Sequence, residues 1–93
     1  MSILDESTIN DALAELPGWR LDGDHITREY RFKGFREAIE FINRIADAAE
    51  AADHHPELTN VYSTVTVALT SHDAGGITEK DLKLAREIEA ASR

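Results

Sequence analysis

Three of the four histidines in this 93-residue chain fall where the sequence pattern changes. His54 and His55 stand where a helical apolar pattern meets Pro56, and His72 stands just past a run of alternating β-branched residues. Histidine is the side chain whose ordinary pKa, about 6.5, lets it give and take a proton near neutrality. Three such groups at the ends of two elements make a candidate acid/base site, while His25, beside a turn signal, stands apart. The residues admit two further readings. A histidine pair on a loop is often a solvated partner for the C-terminal end of a helix dipole, and three imidazoles with a water can form a catalytic zinc site. Adjacent histidines argue against zinc, because consecutive backbone positions would have to turn both rings to one ion, and no His-x₃-His helical pair is present. With no cysteine, thiolate nucleophiles, disulfides and Cys-based metal centres are excluded. No Gly-x-Ser-x-Gly turn and no phosphate-cradling glycine pattern occurs; Gly75-Gly76 is an isolated pair suited to a strand-to-helix turn.

The elements that would position these histidines can be read from punctuation and period. Ser7 or Thr8 can cap a short helix carrying Ile9, Leu13 and Leu16, stopped by Pro17-Gly18. Asp22-Gly23 is a hairpin signal separating the extended segments Trp19–Leu21 and Ile26–Phe32, the latter with Ile26, Tyr30 and Phe32 on one face. From Phe35 to Ala52 the apolar residues Phe35, Ile39, Ile42, Ile45, Ala46 and Ala49 follow a helical period. Pro56 ends that helix by pushing the residue before it out of the α region. A loop or short strand runs to Asn60, and Val61–Ser71 reads as a strand in which Val65, Val67 and Leu69 alternate with Thr64, Thr66, Ala68 and Thr70. Ala74-Gly75-Gly76 turns the chain into a last helix, with Thr78 and Asp81 as a capping box and Leu82, Ala85 and Ile88 facing inward. The order α-β-β-α-β-β-α predicts an α+β fold: one domain over residues 1–93, a single-layer antiparallel four-stranded sheet with helices packed on one face.

Charge and length narrow the functions. Ten Lys and Arg against eighteen Asp and Glu give a net charge of −8, which repels phosphate backbones and anionic bilayers and argues against nucleic acid or membrane partners. The basic concentration Arg31-Lys33-Arg36 reads as a solvated face. Acidic residues near the N-terminus and the absence of an apolar run of about 20 residues predict a cytoplasmic protein with no signal peptide or membrane span. A chain this short buries only roughly 60–65% of its unfolded surface, so a shallow site or a subunit interface is easier to build than a deep crevice, and oligomerisation would add stability.

Read as a pattern, the chain has Glu50, three residues, His54-His55-Pro56, five residues to Tyr62, nine to His72 and eight to Asp81. This resembles the signature of the pterin-4a-carbinolamine dehydratase family at every position. Gly18-Trp19, Phe32-Lys33-Gly34-Phe35 and Asn60-Val61-Tyr62 are similar to further stretches of that family, and the likeness runs from about Leu16 to Ala91. Two positions depart from it: Leu58, where many relatives have an aromatic that could stack on a ligand, and Asp73, where the residue is often Glu.

The resemblance implies a hydro-lyase that removes water from 4a-hydroxytetrahydropterin to give quinonoid dihydropterin, in the recycling of tetrahydrobiopterin. It implies His54 and His72 as the acid/base pair with His55 orienting or assisting, and no metal or other cofactor. It also implies pterin contacts from Asp53-His54-His55 and Thr70-Ser71-His72-Asp73, with Trp19 a candidate for the pocket wall. Glu50, Pro56, Tyr62 and Asp81 would support the site. Each has a plainer reading too: Glu50 as a solvated helix residue, Pro56 as a helix stop, Tyr62 and Trp19 as packing, Asp81 as the third residue of a capping box. A homodimer or homotetramer is expected by the same resemblance. The rival class is a non-catalytic dimerisation module, since some animal relatives stabilise a homeodomain transcription factor.

Overall fold

The computed structural model describes residues 2–93. Its elements run α1 (Glu6–Leu13), β1 (Arg20–Asp22), β2 (His25–Arg31), α2 (Phe35–Ala52), β3 (Glu57–Val61), β4 (Thr64–Leu69) and α3 (Glu79–Ala91). This is the α-β-β-α-β-β-α order and the α+β class that the sequence predicts. The four strands form one antiparallel sheet in the order β1-β2-β4-β3, so β1 and β3 are its edges. Alternation sets the faces, because side chains two apart along a strand point the same way. Val65, Val67 and Leu69 of β4 and Ile26 and Tyr30 of β2 are buried on one face, where they meet Ala38, Phe41 and Ile45 of α2 and Leu82, Ala85 and Ile88 of α3. Among the described residues no helix is long and apolar enough to cross a membrane.

Several boundaries differ from the sequence expectation, each for a local reason. α1 is capped by Asp5 rather than Ser7 or Thr8, its carboxylate accepting the Thr8 N–H at 2.8 Å. The helix stops at Leu13, and Leu16 is buried in the turn that follows. On α2 the buried stripe is Ala38, Phe41, Ile45 and Ala49, whereas Phe35, in the first turn, is 52% exposed and Ala46 is exposed. The segment read as one strand from Val61 is a hairpin: Tyr62 takes a left-handed φ of 51°, and Asn60 Nδ2 donates to the carbonyls of Tyr62 (3.1 Å) and Thr64 (3.0 Å). Tyr62 therefore sits at a hairpin tip, 68% exposed, and the packing role expected of it is not what the fold gives it.

A second departure lies inside the core face itself. Arg28 stands between Ile26 and Tyr30 on β2, opposite Val67, and so points toward the helices. Glu89 of α3 answers it. One carboxylate oxygen, Oε1, accepts from Arg28 Nη1 (2.7 Å), Tyr30 Oη (2.6 Å) and Trp19 Nε1 (3.3 Å). Arg28 also donates to the Pro17 carbonyl at 2.7 Å and lies 4.3 Å from the Tyr30 ring centroid, where the negative face of the ring attracts a cation. Gly18 makes room for this approach, since a Cβ there would come within 2.7 Å of Arg28 Nε. Burial opposes the Glu89 charge, but the donors from Tyr30, Arg28 and Trp19 prevail and hold its pKa below the ordinary value. Burial, and then Glu89, push the Tyr30 phenol well above its ordinary range.

Glu89→Gln keeps an amide oxygen but removes the negative charge facing the partly buried Arg28 guanidinium, so it is expected to destabilise the fold by about 1–2 kcal/mol in urea unfolding at neutral pH. Because the folded pKa of Glu89 is lowered from 4.5, its contribution is present above that value and is lost as the pH falls through the folded one. The difference between wild type and variant should therefore shrink in acid, and a difference independent of pH would contradict the assignment.

Candidate active site

The end of α2 aims the two adjacent histidines in different directions. Asp53 takes φ 50° and ψ 44°, a left-handed conformation that Asp tolerates better than most residues. The Asp53 N–H donates to the Glu50 carbonyl (3.2 Å) and the His54 N–H to the Ala49 carbonyl (3.1 Å), the paired bonds that close a helix of this kind. His54 turns inward, with its side chain 11% exposed, while His55 turns outward at 59%. His55 Nε2 meets Glu50 Oε2 at 2.5 Å, an exposed pair one turn back along the same helix. Pro56 then leads directly into β3.

His54 Nε2 lies 2.6 Å from Oδ1 of Asp81, which is fully buried. The other oxygen, Oδ2, accepts from Ser71 Oγ (2.9 Å) and from the Thr78 backbone N–H (2.9 Å). Thr78 Oγ1 lies 2.8 Å from Ser71 Oγ and accepts the Lys80 N–H at 3.3 Å, so the capping box expected from the sequence is present and is wired to a histidine. A carboxylate only accepts, so the proton between Asp81 and His54 belongs to Nε2. Nδ1 then carries the exchangeable position. Among the described residues it has no hydrogen-bond partner, and since no buried side-chain nitrogen or oxygen there lacks one, Nδ1 is not sealed from solvent.

The opposite wall comes from the β4–α3 connection. Ser71 and Gly76 form an isolated bridge, and the Ser71 carbonyl accepts from the N–H groups of Ala74, Gly75 and Gly76 at 3.1, 2.9 and 3.3 Å. Gly75 adopts φ 81°, a value that suits glycine. This tight turn leaves His72 and Asp73 exposed beside His54. Thr70 Oγ1 donates to the Asp24 carbonyl at 2.6 Å and so fixes the end of β4 against the β1–β2 turn.

The resulting cleft, about 310 Å³, is lined by Asp53, His54, His55, Thr70, His72, Asp73 and Lys80. Six of the sequence candidates thus converge. Asp81 and Ser71 lie behind the wall rather than in it, holding His54; Ser71 is 2% exposed and its hydroxyl is committed to Asp81. Glu50 backs His55, and Tyr62 is at the hairpin tip. Trp19 is not brought to the cleft: it is 5% exposed and its indole N–H points to Tyr30 and Glu89. Sequence reasoning missed two contributors. Lys80 adjoins Asp81 in the first turn of α3, a position that the capping box already placed near the site. His25 stacks edge-on against His72, ring centroids 6.5 Å apart, through a strand pairing that spacing does not reveal.

Chemically the cleft offers three imidazoles from two parts of the chain, that of His54 backed by a buried carboxylate, and exposed carboxylates of Asp53 and Asp73 that can accept from a ligand edge bearing N–H groups. Among the described residues no three His, Asp or Glu side chains are grouped to hold a metal ion.

Comparison with known proteins is consistent along the whole chain. The sequence model of the family described as pterin 4 alpha carbinolamine dehydratase matches residues 2–91. A protein of Thermomicrobium roseum bearing a pterin-4-alpha-carbinolamine dehydratase name is 52% identical over 88 residues, 95% of each chain. One of Opitutus terrae with the same name is 50% identical over 92 residues, 98% of this chain and 95% of its own. The crystal structure of a transcriptional coactivator/pterin dehydratase from Brucella melitensis superposes with a TM-score of 0.94 at 44% identity, covering 99% of this chain and 100% of that one. A pterin dehydratase-like RuBisCO assembly factor of the alpha-carboxysome shares the fold, with a TM-score of 0.69 at 19% identity over 81% of this chain and 89% of that one.

The Asp81 contact makes a prediction about the tautomer of His54. In ¹⁵N NMR above the titration range, neutral His54 should carry its proton on Nε2 in the wild type, and Asp81→Asn should raise the Nδ1–H population, because the amide can present a donor. An unchanged tautomer in the variant would break the link between Asp81 and His54.

Proposed function

The chain belongs to the pterin-4-alpha-carbinolamine dehydratase family, a family of hydro-lyases, and from that premise we propose that it removes water from 4a-hydroxytetrahydropterin, with His54 and His72 as the acid/base pair. The observation that carries this reading is that the carboxylate-backed His54 lines one cleft with His72. In the reaction one imidazole gives a proton to the 4a-hydroxyl, the C4a–O bond breaks and the oxygen leaves as water with the bonding pair. The other imidazole takes the N5 proton, and the electrons of that bond form C4a=N5, giving quinonoid dihydropterin. One proton is given and one removed, so the pair is reset by exchange with water. The elimination changes no oxidation state overall and calls for no redox cofactor.

Binding falls to the rest of the cleft. Asp53 and Asp73 accept from the amino-pyrimidinone edge, Thr70 offers its hydroxyl oxygen, and His55, oriented by Glu50, borders the ring. The reaction would follow an aromatic hydroxylation that consumes tetrahydropterin, in the cytoplasm. Self-association belongs to the same reading: β3 is an edge strand, Leu58 and Val61 along it are 37% and 69% exposed, and Tyr62 at the adjoining hairpin tip is 68% exposed. An edge bearing apolar side chains is a template for pairing. Sedimentation is expected to give a dimer or tetramer, and a monomer at micromolar concentration would contradict it.

The test of the activity is stopped-flow ultraviolet absorbance of freshly generated 4a-hydroxytetrahydropterin, for which spontaneous dehydration supplies the baseline. Wild type should exceed the baseline, and His54→Ala and His72→Ala should each lose about 10²–10⁴-fold, the range for a positioned proton donor or acceptor. A folded wild type lying on the baseline would overturn the proposal and favour a binding role.

A further inference from the structure

His25 borders the cleft without belonging to the residues given a role above. Each of its ring nitrogens faces a carboxylate: Nδ1 lies 2.8 Å from Asp24 Oδ1, and Nε2 lies 2.8 Å from Glu57 Oε2. A neutral imidazole has one N–H, so one of those contacts would set lone pair against lone pair; the doubly protonated ring donates to both. The clasp joins separate parts of the chain. Asp24 is in the β1–β2 turn, where its carbonyl also holds Thr70, and Glu57 opens edge strand β3. Against this fixed ring rests His72, its plane turned by 77° at a centroid distance of 6.5 Å. His72 itself projects from an exposed turn, and the His25 ring, held by two carboxylates, is the aromatic neighbour beside it.

We propose that His25, clasped between Asp24 and Glu57, is a positioning residue that sets the orientation of His72 in the cleft. The proposal rests on the reading of His72 as one of the acid/base pair. Misplacing a reacting group by a fraction of an ångström lowers turnover more than it lowers binding, because alignment matters most in the transition state. The groups facing His25 are Asp24 from the β1–β2 turn, Glu57 from β3 and His72 from the β4–α3 turn. The Glu57 hydrogen bond raises the His25 pKa from 6.5, partial burial opposes it, and Asp24 adds to the rise. A raised folded value means that the clasp is complete below the ordinary histidine pKa and loosens as the pH climbs through the raised one.

The test compares wild type with His25→Gln, which removes the charge, and His25→Arg, whose permanently charged guanidinium can span two carboxylates. In substrate-free protein, the Hα–Hβ couplings of His72 should report one χ1 rotamer in the wild type and averaged rotamers in His25→Gln. In stopped-flow assays His25→Gln should lose about tenfold in kcat with KM within about twofold. His25→Arg should recover most of the loss. The proposal is overturned if the His72 couplings are the same in wild type and His25→Gln, or if His25→Arg recovers none of the loss in kcat. A wild type that does not accelerate dehydration would count against the proposed function, and the His72 couplings would still decide the positioning role.

Discussion

The placement of His54 in the cleft depends on Asp81, a carboxylate taken wholly out of water. A buried charge of this kind is tolerated only when donors replace its hydration, and here they come from three places: the Thr78 backbone at the start of α3, the Ser71 hydroxyl at the end of β4, and His54 beyond the end of α2. The same carboxylate therefore caps a helix, ties a strand end to it and fixes an imidazole tautomer. Satisfying one buried group assembles the proton-transfer site, so stability and site geometry cannot be varied independently at this residue.

The fold has a matching polar knot on its other side. Glu89 gathers Trp19, Arg28 and Tyr30 as Asp81 gathers His54, Ser71 and Thr78. Between the two lies an apolar core of Ile26, Phe41, Ile45, Val65, Val67, Leu82 and Ile88 that specifies packing by shape alone. Polar contacts of fixed geometry at both margins of such a core set how α3 lies across the sheet. That position carries Asp81 to His54. The short loops do the rest: the left-handed Asp53 and the tight Ser71–Gly76 turn each convert an element end into a wall of the cleft.

Much of this was legible before any coordinates. The long helix, the Pro56 stop, the alternating strand and the capping box announced their elements through period and punctuation, and the family resemblance singled out His54, His55 and His72, which the fold brings to one cleft. What stayed hidden depends on which strands pair. His25 reaches His72 because Ile26 pairs with Leu69 across β2 and β4, and Arg28 reads as a surface residue until α3 supplies Glu89. Trp19 had two readings, packing and pocket wall, and its indole N–H finds acceptors in the core, as packing requires. Tyr62 had packing as its plainer reading; the left-handed turn at its own backbone lifts it out.

The most direct test of the account is a kinetic double-mutant cycle between Asp81 and His54, using wild type, Asp81→Asn, His54→Ala and the double variant, each checked for native secondary structure, with dehydration of 4a-hydroxytetrahydropterin as the readout. If Asp81 acts on catalysis by holding His54, then its replacement should change kcat by no more than about twofold once His54 is alanine. Losses that multiply in the double variant would show that Asp81 and His54 act separately, and the account built on their contact would fail.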